Sequence, residues 1–328
     1  MMRLPRFTLH TARSIEEAMA RMYSAGDDGM YVAGGTDLYP NMKRRQMTPG
    51  TVINLMRLGE LRASSGSPSE GIRMGACQTL TELVRDNRVA RHYPALSDAL
   101  RVISTPLLRN MGTLGGNVLL DTRCNYYDQN WEWRRAINFC MKKDGEICWV
   151  APSSPRCWAV QSSDTVPVLV ALGAQFRFLS PDGERVVSAE EFYRDDGIKY
   201  MDKSPQELLA EIVLPPADPD LRGTYRKLRR RGAFDFPVLG VAATLKMDGD
   251  TVAQARIVLG ALGSAPIVAE KASNVLRGQR LDQDVIEAAA DAAYGPSKPL
   301  DNTDFAYAWR KQMVRKFVKD ALLNLKSK

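Results

Sequence analysis

The chain has 328 residues, 45% of them hydrophobic and 25% charged. At about 150 residues per domain this fits two globular domains, and it excludes a disordered chain, a collagen and a disulfide-dense miniprotein. The formal net charge of +7 is spread along the chain rather than gathered in a block, which suits a face for an acidic partner and argues against a nucleic-acid arm. No apolar run approaches the roughly 20 residues that cross a bilayer; the best, Val166–Ala174, is strand-sized, and the N-terminus lacks the hydrophobic segment of a secretory signal. The expected setting is cytoplasmic, with no membrane and no nucleic acid as partner. Two histidines, His10 and His92, leave little material for a His-rich metal site or a Ser-His-Asp triad and read as surface or cap residues.

In chain order, Ser14-Ile-Glu-Glu17 is a capping box, with Ile15, Ala18, Met19, Met22 and Tyr23 at helical spacing and Gly26 closing the helix. Met30–Ala33 and Thr51–Leu55 read as strands, the first running into Gly34-Gly35-Thr36-Asp37. Thr79-Leu-Thr-Glu82 is a second capping box; the helical stretch it opens is broken by Pro94 and resumes toward Val102, ahead of a glycine-rich loop at Gly112–Asn117. Gln175–Leu179 and Glu184–Val187 flank Pro181-Asp-Gly183, a hairpin turn. The strand-like Leu208–Leu214 leads into Pro215-Pro-Ala-Asp-Pro219, proline-dense like a linker between domains. Beyond it, Val238–Leu245 and Val252–Leu259 read as strands joined through Asp248-Gly-Asp250, followed by three helical patterns ending in Thr303–Leu325. The last helix is expected to gather Trp309, Met313, Phe317 and Leu325 on one side and to leave Arg310, Lys311, Arg315, Lys316 and Lys319 on a solvated face. The alternation of helices and strands predicts an α/β or α+β fold, with an α+β second domain after the linker.

Two glycine loops carry the first chemical signal. Gly34-Gly35-Thr36-Asp37 ends a strand, and a Gly-Gly pair there lets main-chain N–H groups approach an anion that any Cβ would hold away. Thr113-Leu-Gly-Gly-Asn117 repeats the same chemistry of hydroxyl, paired glycines and a polar residue. Two such loops suit a diphosphate with two ends to hold, although plain tight turns use the same pair. Neither loop is G-x-G-x-x-G or G-x-x-x-x-G-K-S/T, which disfavours Rossmann and P-loop readings.

The cysteines carry the second. Cys124, Cys140, Cys148 and Cys157 fall within 34 residues, separated by 15, 7 and 8 residues, while Cys77 stands alone. No C-x-x-C pair of the structural zinc type is present. Four thiolates suffice for a cubane iron–sulfur cluster, which tolerates varied spacing, and Tyr126, Tyr127, Trp131, Trp133, Phe139, Trp149 and Trp158 supply bulk that would shield one. A zinc-stapled loop, disulfides or unrelated buried thiols are the other uses of such a segment.

Ala33-Gly-Gly-Thr36, Thr113-Leu-Gly-Gly-Asn117, Ser163-Asp-Thr165, Glu211-Ile-Val-Leu-Pro215 and Tyr225-Arg-Lys227 with Asp235-Phe236 follow one another over nearly the whole chain. In these motifs the chain resembles the FAD-binding (medium) subunits of the molybdenum hydroxylases, the family of xanthine dehydrogenase and carbon monoxide dehydrogenase. The resemblance implies a PCMH-type FAD-binding domain of two α+β subdomains over residues 1–217, with a cysteine-rich insertion at about 122–162. A smaller CO dehydrogenase flavoprotein C-terminal-like α+β domain would follow over 218–328. It also implies that Tyr31, Val32, Ala33, Gly34, Gly35, Thr36, Asp37 and Leu38, with Thr113, Leu114, Gly115, Gly116 and Asn117, wrap the pyrophosphate and neighbouring parts of FAD. Ile103 would line the pocket, Asp164 would bind the cofactor by its carboxylate, and Leu209 and Lys227 would lie near the isoalloxazine. Read singly, Ile103 and Leu209 are equally core residues, Asp164 a helix cap and Lys227 a surface charge.

Most relatives run from the Gly-Gly-Asn loop almost directly into a Ser-Asp-Thr segment, whereas here roughly 40 residues intervene, the length of a functional insertion. An insertion of this type and spacing resembles the β subunit of 4-hydroxybenzoyl-CoA reductase, where it binds an additional 4Fe-4S cluster. By that resemblance Cys124, Cys140, Cys148 and Cys157 are the ligands and Cys77 is a small buried residue. The implied function is an FAD and 4Fe-4S electron-transfer subunit in reductive dehydroxylation of 4-hydroxybenzoyl-CoA to benzoyl-CoA, a step of anaerobic aromatic degradation. Reduced ferredoxin would be the electron donor, and no catalytic residue is expected on this chain. The implied partners are a large molybdopterin subunit and a small 2Fe-2S subunit, in a heterohexamer built as a dimer of heterotrimers. Two rivals stand beside this reading: an FAD subunit of an NAD-linked molybdenum hydroxylase acting on another substrate, against which the insertion argues, and a zinc-stapled non-redox binding module.

Overall fold

Three sheets organise residues 3–327, which the computed structural model describes. The first is parallel, in the order β1-β3-β2, from β1 (Thr8–Thr11), β2 (Gly29–Val32) and β3 (Thr51–Asn54). The helix Ile15–Ala25 joins β1 to β2, capped by the Ser14 hydroxyl, which accepts from the Glu17 N–H at 3.1 Å. The Glu17 carboxylate accepts from the Arg13 N–H, one residue before the donor that a standard capping box uses.

The second sheet is antiparallel, in the order β4-β5-β8-β6-β7: β4 (Ser64–Ser67), β5 (Gly71–Gly75), β6 (Gln175–Ser180), β7 (Gly183–Ser188) and β8 (Leu208–Leu214). Strand β5 pairs with β8 and β8 with β6, so everything between β5 and β6 is an excursion that leaves this sheet and returns to it. Both the second glycine loop and all four clustered cysteines lie on that excursion. The third sheet, in the order β12-β11-β10-β9, holds β9 (Leu221–Leu228), β10 (Leu239–Asp248), β11 (Thr251–Gly260) and β12 (Ile267–Val268). Of these, β9 and β12 go beyond the sequence expectation: Leu-Arg-Gly-Thr-Tyr-Arg-Lys-Leu lacks a clean alternation, and its middle is buried only because the rest of the chain covers it.

The helices Pro94–Val102 and Thr165–Ala171 lie between the second and third sheets. Ile212, Phe176 and Phe178 meet Leu96, Leu100 and Val168 from one side, and Tyr225, Ala242 and Val258 close the same core from the other. The opposite face of the third sheet, through Leu239, Val241, Ala243 and Ile257, packs on the helices Glu270–Leu276, Gln283–Tyr294 and Tyr307–Lys326. Thr165–Ala171 corrects the strand-sized reading of Val166–Ala174. All seven of its residues are buried, so its sequence is apolar on every face and carries no helical period, and Pro167 is tolerated in the first turn, where an N–H needs no intrahelical partner. No helix among the described residues is long and apolar enough to cross a membrane.

The last helix also turns out differently. Its buried face is Val314, Val318, Ala321, Leu322 and Leu325, while Trp309 is exposed and Met313 and Phe317 are half-buried. Arg310, expected on the solvated face, is fully buried and donates to the carbonyls of Val238, Leu300 and Ala261 at 3.2, 2.9 and 3.0 Å. Burial brings its pKa down to about 10.

A second buried cation ties the excursion from the second sheet to the third sheet. Lys227 on β9 meets the Asp164 carboxylate at 2.9 Å, and both side chains are 3% exposed. The Tyr225 hydroxyl donates to the other carboxylate oxygen at 3.0 Å, and Lys227 also donates to the Val102 carbonyl at 3.1 Å. Burial raises the Asp164 pKa and lowers that of Lys227, each opposing the attraction between them.

Arg310→Leu should lower unfolding stability by roughly 3 kcal/mol, because it strands the buried carbonyls of Val238 and Ala261; urea denaturation reads this directly. Lys227→Met should cost about 3–5 kcal/mol near neutral pH, because it leaves a buried carboxylate unpaired. Without its ammonium, Asp164 keeps the upward push of burial, so the folded state binds a proton more tightly than the unfolded chain. The variant's stability should therefore fall as pH rises through that raised pKa and recover as pH drops toward the ordinary carboxylate range, a trend that denaturation midpoints across pH would reveal.

Candidate functional site

The two glycine loops meet. Strand β2 ends at Val32, and Gly34 then passes so close to the second loop that a Cβ there would lie 1.7 Å from the Met111 carbonyl oxygen. Gly35 has φ +69°, the left-handed region that glycine tolerates, and the Tyr39 ring lies over the position of its missing side chain. Among the described residues, no acceptor takes the N–H groups of Gly34, Gly35 or Thr36, or the exposed Thr36 hydroxyl. Three successive free amides and a hydroxyl at a strand end make a concavity of the kind that can hold an anion. Asp37 follows as a brace: it accepts from Asn41 at 2.9 Å and from Arg123 at 3.3 Å.

The second loop is built differently from the first. Thr113 caps the short helix Leu114–Val118 by accepting from the Gly116 N–H, the Leu114 and Gly115 amides donate to Gln78 and Ala76, and Asn117 donates to Thr113. Its amides are thus spent within the protein, and Gly115 is needed because a Cβ would strike the Ala76 backbone at 2.7 Å. Asn117 Oδ1 accepts from the Ser163 and Thr165 hydroxyls, both at 2.7 Å, which ties this loop to the Ser-Asp-Thr turn. The remaining residues implied as flavin contacts are interior. Ile103 and Leu209 belong to the main core, and Asp164 and Lys227 are paired with each other. Around the Ile103 turn, the Arg109 guanidinium donates to the Ile103 carbonyl and Arg229 to that of Val102, so this wall is strongly cationic.

The cysteine segment forms a closed lobe. Arg123 and Val160 exchange main-chain hydrogen bonds at 2.8 and 2.7 Å, which zips its two ends together, and Asn302, Gly263 and Ser264 of the C-terminal part bond to Asn125, Trp158, Ala159 and Gln161. Cys124, Cys140, Cys148 and Cys157 are all buried free thiols, and all four line one small pocket walled by Tyr126, Tyr127 and Trp149. The carbonyl of each cysteine accepts a main-chain hydrogen bond, from Tyr127, Lys143, Ala151 and Gly197 in turn, so the first three sit at the start of turns and Cys157 is tied to a distant segment. The Ala159 N–H donates to the Cys157 sulfur at 3.4 Å, and the Tyr126 main chain does the same for Cys124. Burial pushes the Cys124 thiol up to about 12 and Cys157 up to about 11. Among the described residues, no group of three or more His, Cys, Asp or Glu side chains is placed to hold a metal ion. Trp131 and Phe139 pair with each other and Trp158 stacks under Arg156, away from the pocket lining.

Between the first loop and the cysteine pocket lies a polar network that sequence reasoning missed. Lys142 donates to Asp121, Thr122 and the Gly197 carbonyl, each at 2.8 Å, and the Tyr127 hydroxyl donates to the other oxygen of Asp121 at 2.9 Å. Arg123 is shared between Asp37 and Asp128 and stacks on Phe236 at 3.8 Å. Burial raises the pKa values of Asp37 and Asp128, Arg123 opposes the rise, and the other carboxylates add to it. The signal available in the sequence was only adjacency: Asp121 follows the second loop, and Lys142 stands two residues after Cys140.

Comparison with known proteins fits this arrangement. Residues 5–217 match the family described as the FAD binding domain in molybdopterin dehydrogenase, and residues 223–325 match the CO dehydrogenase flavoprotein C-terminal domain. The carbon monoxide dehydrogenase medium chain of Hydrogenophaga pseudoflava is 27% identical over 318 residues, covering 95% of this chain and 96% of that one. The aldehyde oxidoreductase FAD-binding subunit PaoB of Escherichia coli (strain K12) is 32% identical over 272 residues, covering 79% and 83%. Among solved structures, carbon monoxide dehydrogenase of Hydrogenophaga pseudoflava lacking the Mo-pyranopterin moiety matches with a TM-score of 0.81 at 26% identity, over 99% of both chains. Reconstituted CO dehydrogenase from Oligotropha carboxidovorans matches with a TM-score of 0.82 at 25% identity, again over 99% of both chains. With this α+β fold and these two matched domains, the chain belongs to the FAD-binding medium subunits of the molybdenum hydroxylase family, which includes carbon monoxide dehydrogenase and xanthine dehydrogenase.

Proposed function

We propose that this subunit relays electrons through FAD and a 4Fe-4S cluster in a molybdenum enzyme of the 4-hydroxybenzoyl-CoA reductase type. Reduced ferredoxin would supply the electrons in a cytoplasmic setting. The partners would be a large molybdopterin subunit and a small 2Fe-2S subunit, assembled as a dimer of heterotrimers. The observation that carries the reading is the convergence of Cys124, Cys140, Cys148 and Cys157 on one buried, aromatic-walled pocket, with N–H···S hydrogen bonds already present at two of them. Hydrogen bonds to sulfur and exclusion of water are the protein's ordinary means of tuning such clusters.

FAD, when bound, exchanges electrons singly or in pairs, which is what a relay between one-electron clusters and a two-electron reduction requires. This chain's part is to hold it. The free amides of Gly34, Gly35 and Thr36 fit a pyrophosphate, the second loop backs them through the Gly34–Met111 contact, and the Ile103 turn with Lys227, Arg229 and Arg109 forms a cationic wall. The thiols must give up protons to bind iron, because burial keeps at least Cys124 and Cys157 protonated. The net charge of +7 suits an acidic one-electron carrier. The division at residues 217 and 218 falls in the proline-rich connection between β8 and β9. A second reading, an FAD subunit serving a different substrate without an extra cluster, draws support from the 27% and 32% identities to a carbon monoxide dehydrogenase and an aldehyde oxidoreductase subunit.

Metal analysis of anaerobically purified protein separates the two readings: about four irons, about four acid-labile sulfides and one flavin per chain are expected, whereas zinc or no metal would leave only the FAD subunit. Cys140→Ser should abolish the iron while leaving FAD bound, since the glycine loops are built outside the lobe. Gly34→Val should do the reverse. Its side chain collides with Met111, so the chain should lose most of its FAD absorbance and keep its iron; full flavin retention would remove the first loop from the site.

A further inference from the structure

We infer that Lys142 is the residue that sets the reduction potential of the cysteine pocket, an assignment that rests on the 4Fe-4S reading above. Lys142 lines the pocket together with all four cysteines, and its positive charge acts on the Cys157 thiol, while its ammonium is held by groups outside the ligand set. All three of its donors are used, on Asp121, Thr122 and Gly197, and the charge lies over the rings of Tyr127 and Tyr200 at 4.8 and 5.2 Å. The clamp is tied to the ligand segments at both ends. Lys142 is two residues from Cys140, and Gly197, whose carbonyl it grips, donates its N–H to the Cys157 carbonyl at 2.9 Å and packs so tightly that a Cβ would lie 2.7 Å from the Cys157 sulfur.

Side-chain exposure of 7% for Lys142 and 8% for Asp121 places both charges where water screens them little. When an external one-electron carrier is oxidised and the cluster reduced, the pocket gains one negative charge and no bond is made or broken. A fixed ammonium at its wall stabilises the more negative state and raises the potential; the Asp121 carboxylate behind it acts in the opposite sense. The pair therefore makes a prediction of sign that a purely structural role does not make.

The test is a potentiometric titration of the intact complex, followed by electron paramagnetic resonance, with iron, sulfide and FAD assayed on each preparation. Lys142→Met should keep its iron and shift the cluster to a more negative potential, Lys142→Arg should stay near the wild type, and Asp121→Asn should shift it to a more positive one. An iron-loaded Lys142→Met protein with an unmoved potential, or shifts of the same sign in Lys142→Met and Asp121→Asn, would overturn the assignment. If Lys142→Met fails to load iron, Asp121→Asn decides alone, and an unmoved or more negative potential there is the refuting result. Wild-type protein without iron and sulfide would instead overturn the cluster reading, and the role of Lys142 with it.

Discussion

The buried pair of Asp164 and Lys227 fixes the relation of the glycine loops to the rest of the molecule. Burying two charges contributes little net stability, since desolvation offsets most of the attraction. What the pair supplies is registry. Asp164 has its two oxygens on Lys227 and Tyr225, both from β9, while its neighbours Ser163 and Thr165 both donate to Asn117 at the end of the second glycine loop. That loop in turn abuts the first at Gly34 and Met111. One arrangement of the third sheet satisfies all these groups at once, and in that arrangement the anion cradle, the Ile103 turn and the C-terminal part have fixed positions. The same logic explains why two residues expected as flavin contacts are found turned toward each other: their pairing locates the wall.

The cysteine lobe uses the surrounding fold as its floor. It is zipped at the base by Arg123 and Val160, docked on Asn302 and Ser264, and pinned by fully buried Arg134, which donates to the Arg45 carbonyl at 2.9 Å. A 34-residue window with this few regular elements, the short helix Trp131–Ala136 among them, has little apolar core beyond the cysteines themselves and Tyr127. Such a segment needs a centre that many side chains can converge on, and four buried thiols on one pocket are the group it offers.

Local signals in the sequence translated well. The Thr79 capping box, the Asp-Gly hairpin, the Pro94 break and the strand Leu208–Leu214 depend on residues within a few positions of one another, and each forms as the pattern predicts, while at Ser14 the hydroxyl caps the helix and Glu17 reaches Arg13 instead. The misses are all long-range. Thr165–Ala171 is sheathed on every side and so lost its helical period, and Arg310 was placed in water because its three carbonyl acceptors come from segments 10 to 72 residues away. In the site, the glycine loops and the cysteines were legible because unusual residue types cluster in sequence. The network of Asp37, Asp121, Asp128, Arg123 and Lys142 was not, because charged residues are common and only the fold brings these together.

That network makes the two ends of the site electrically continuous. Asp37 belongs to the first glycine loop, Arg123 joins it to Asp128 at the base of the lobe, and Lys142 with Asp121 borders the thiols. Carboxylates outnumber cations here by three to two, and the excess is carried as raised carboxyl pKa values at Asp37 and Asp128, caused first by burial and then by their mutual repulsion. In a region of low dielectric, charge added at one end changes the cost of charge at the other. A flavin held by the first loop and a cluster held by the cysteines would therefore not titrate independently, and the arrangement of Arg123 and Lys142 places a compensating cation beside each.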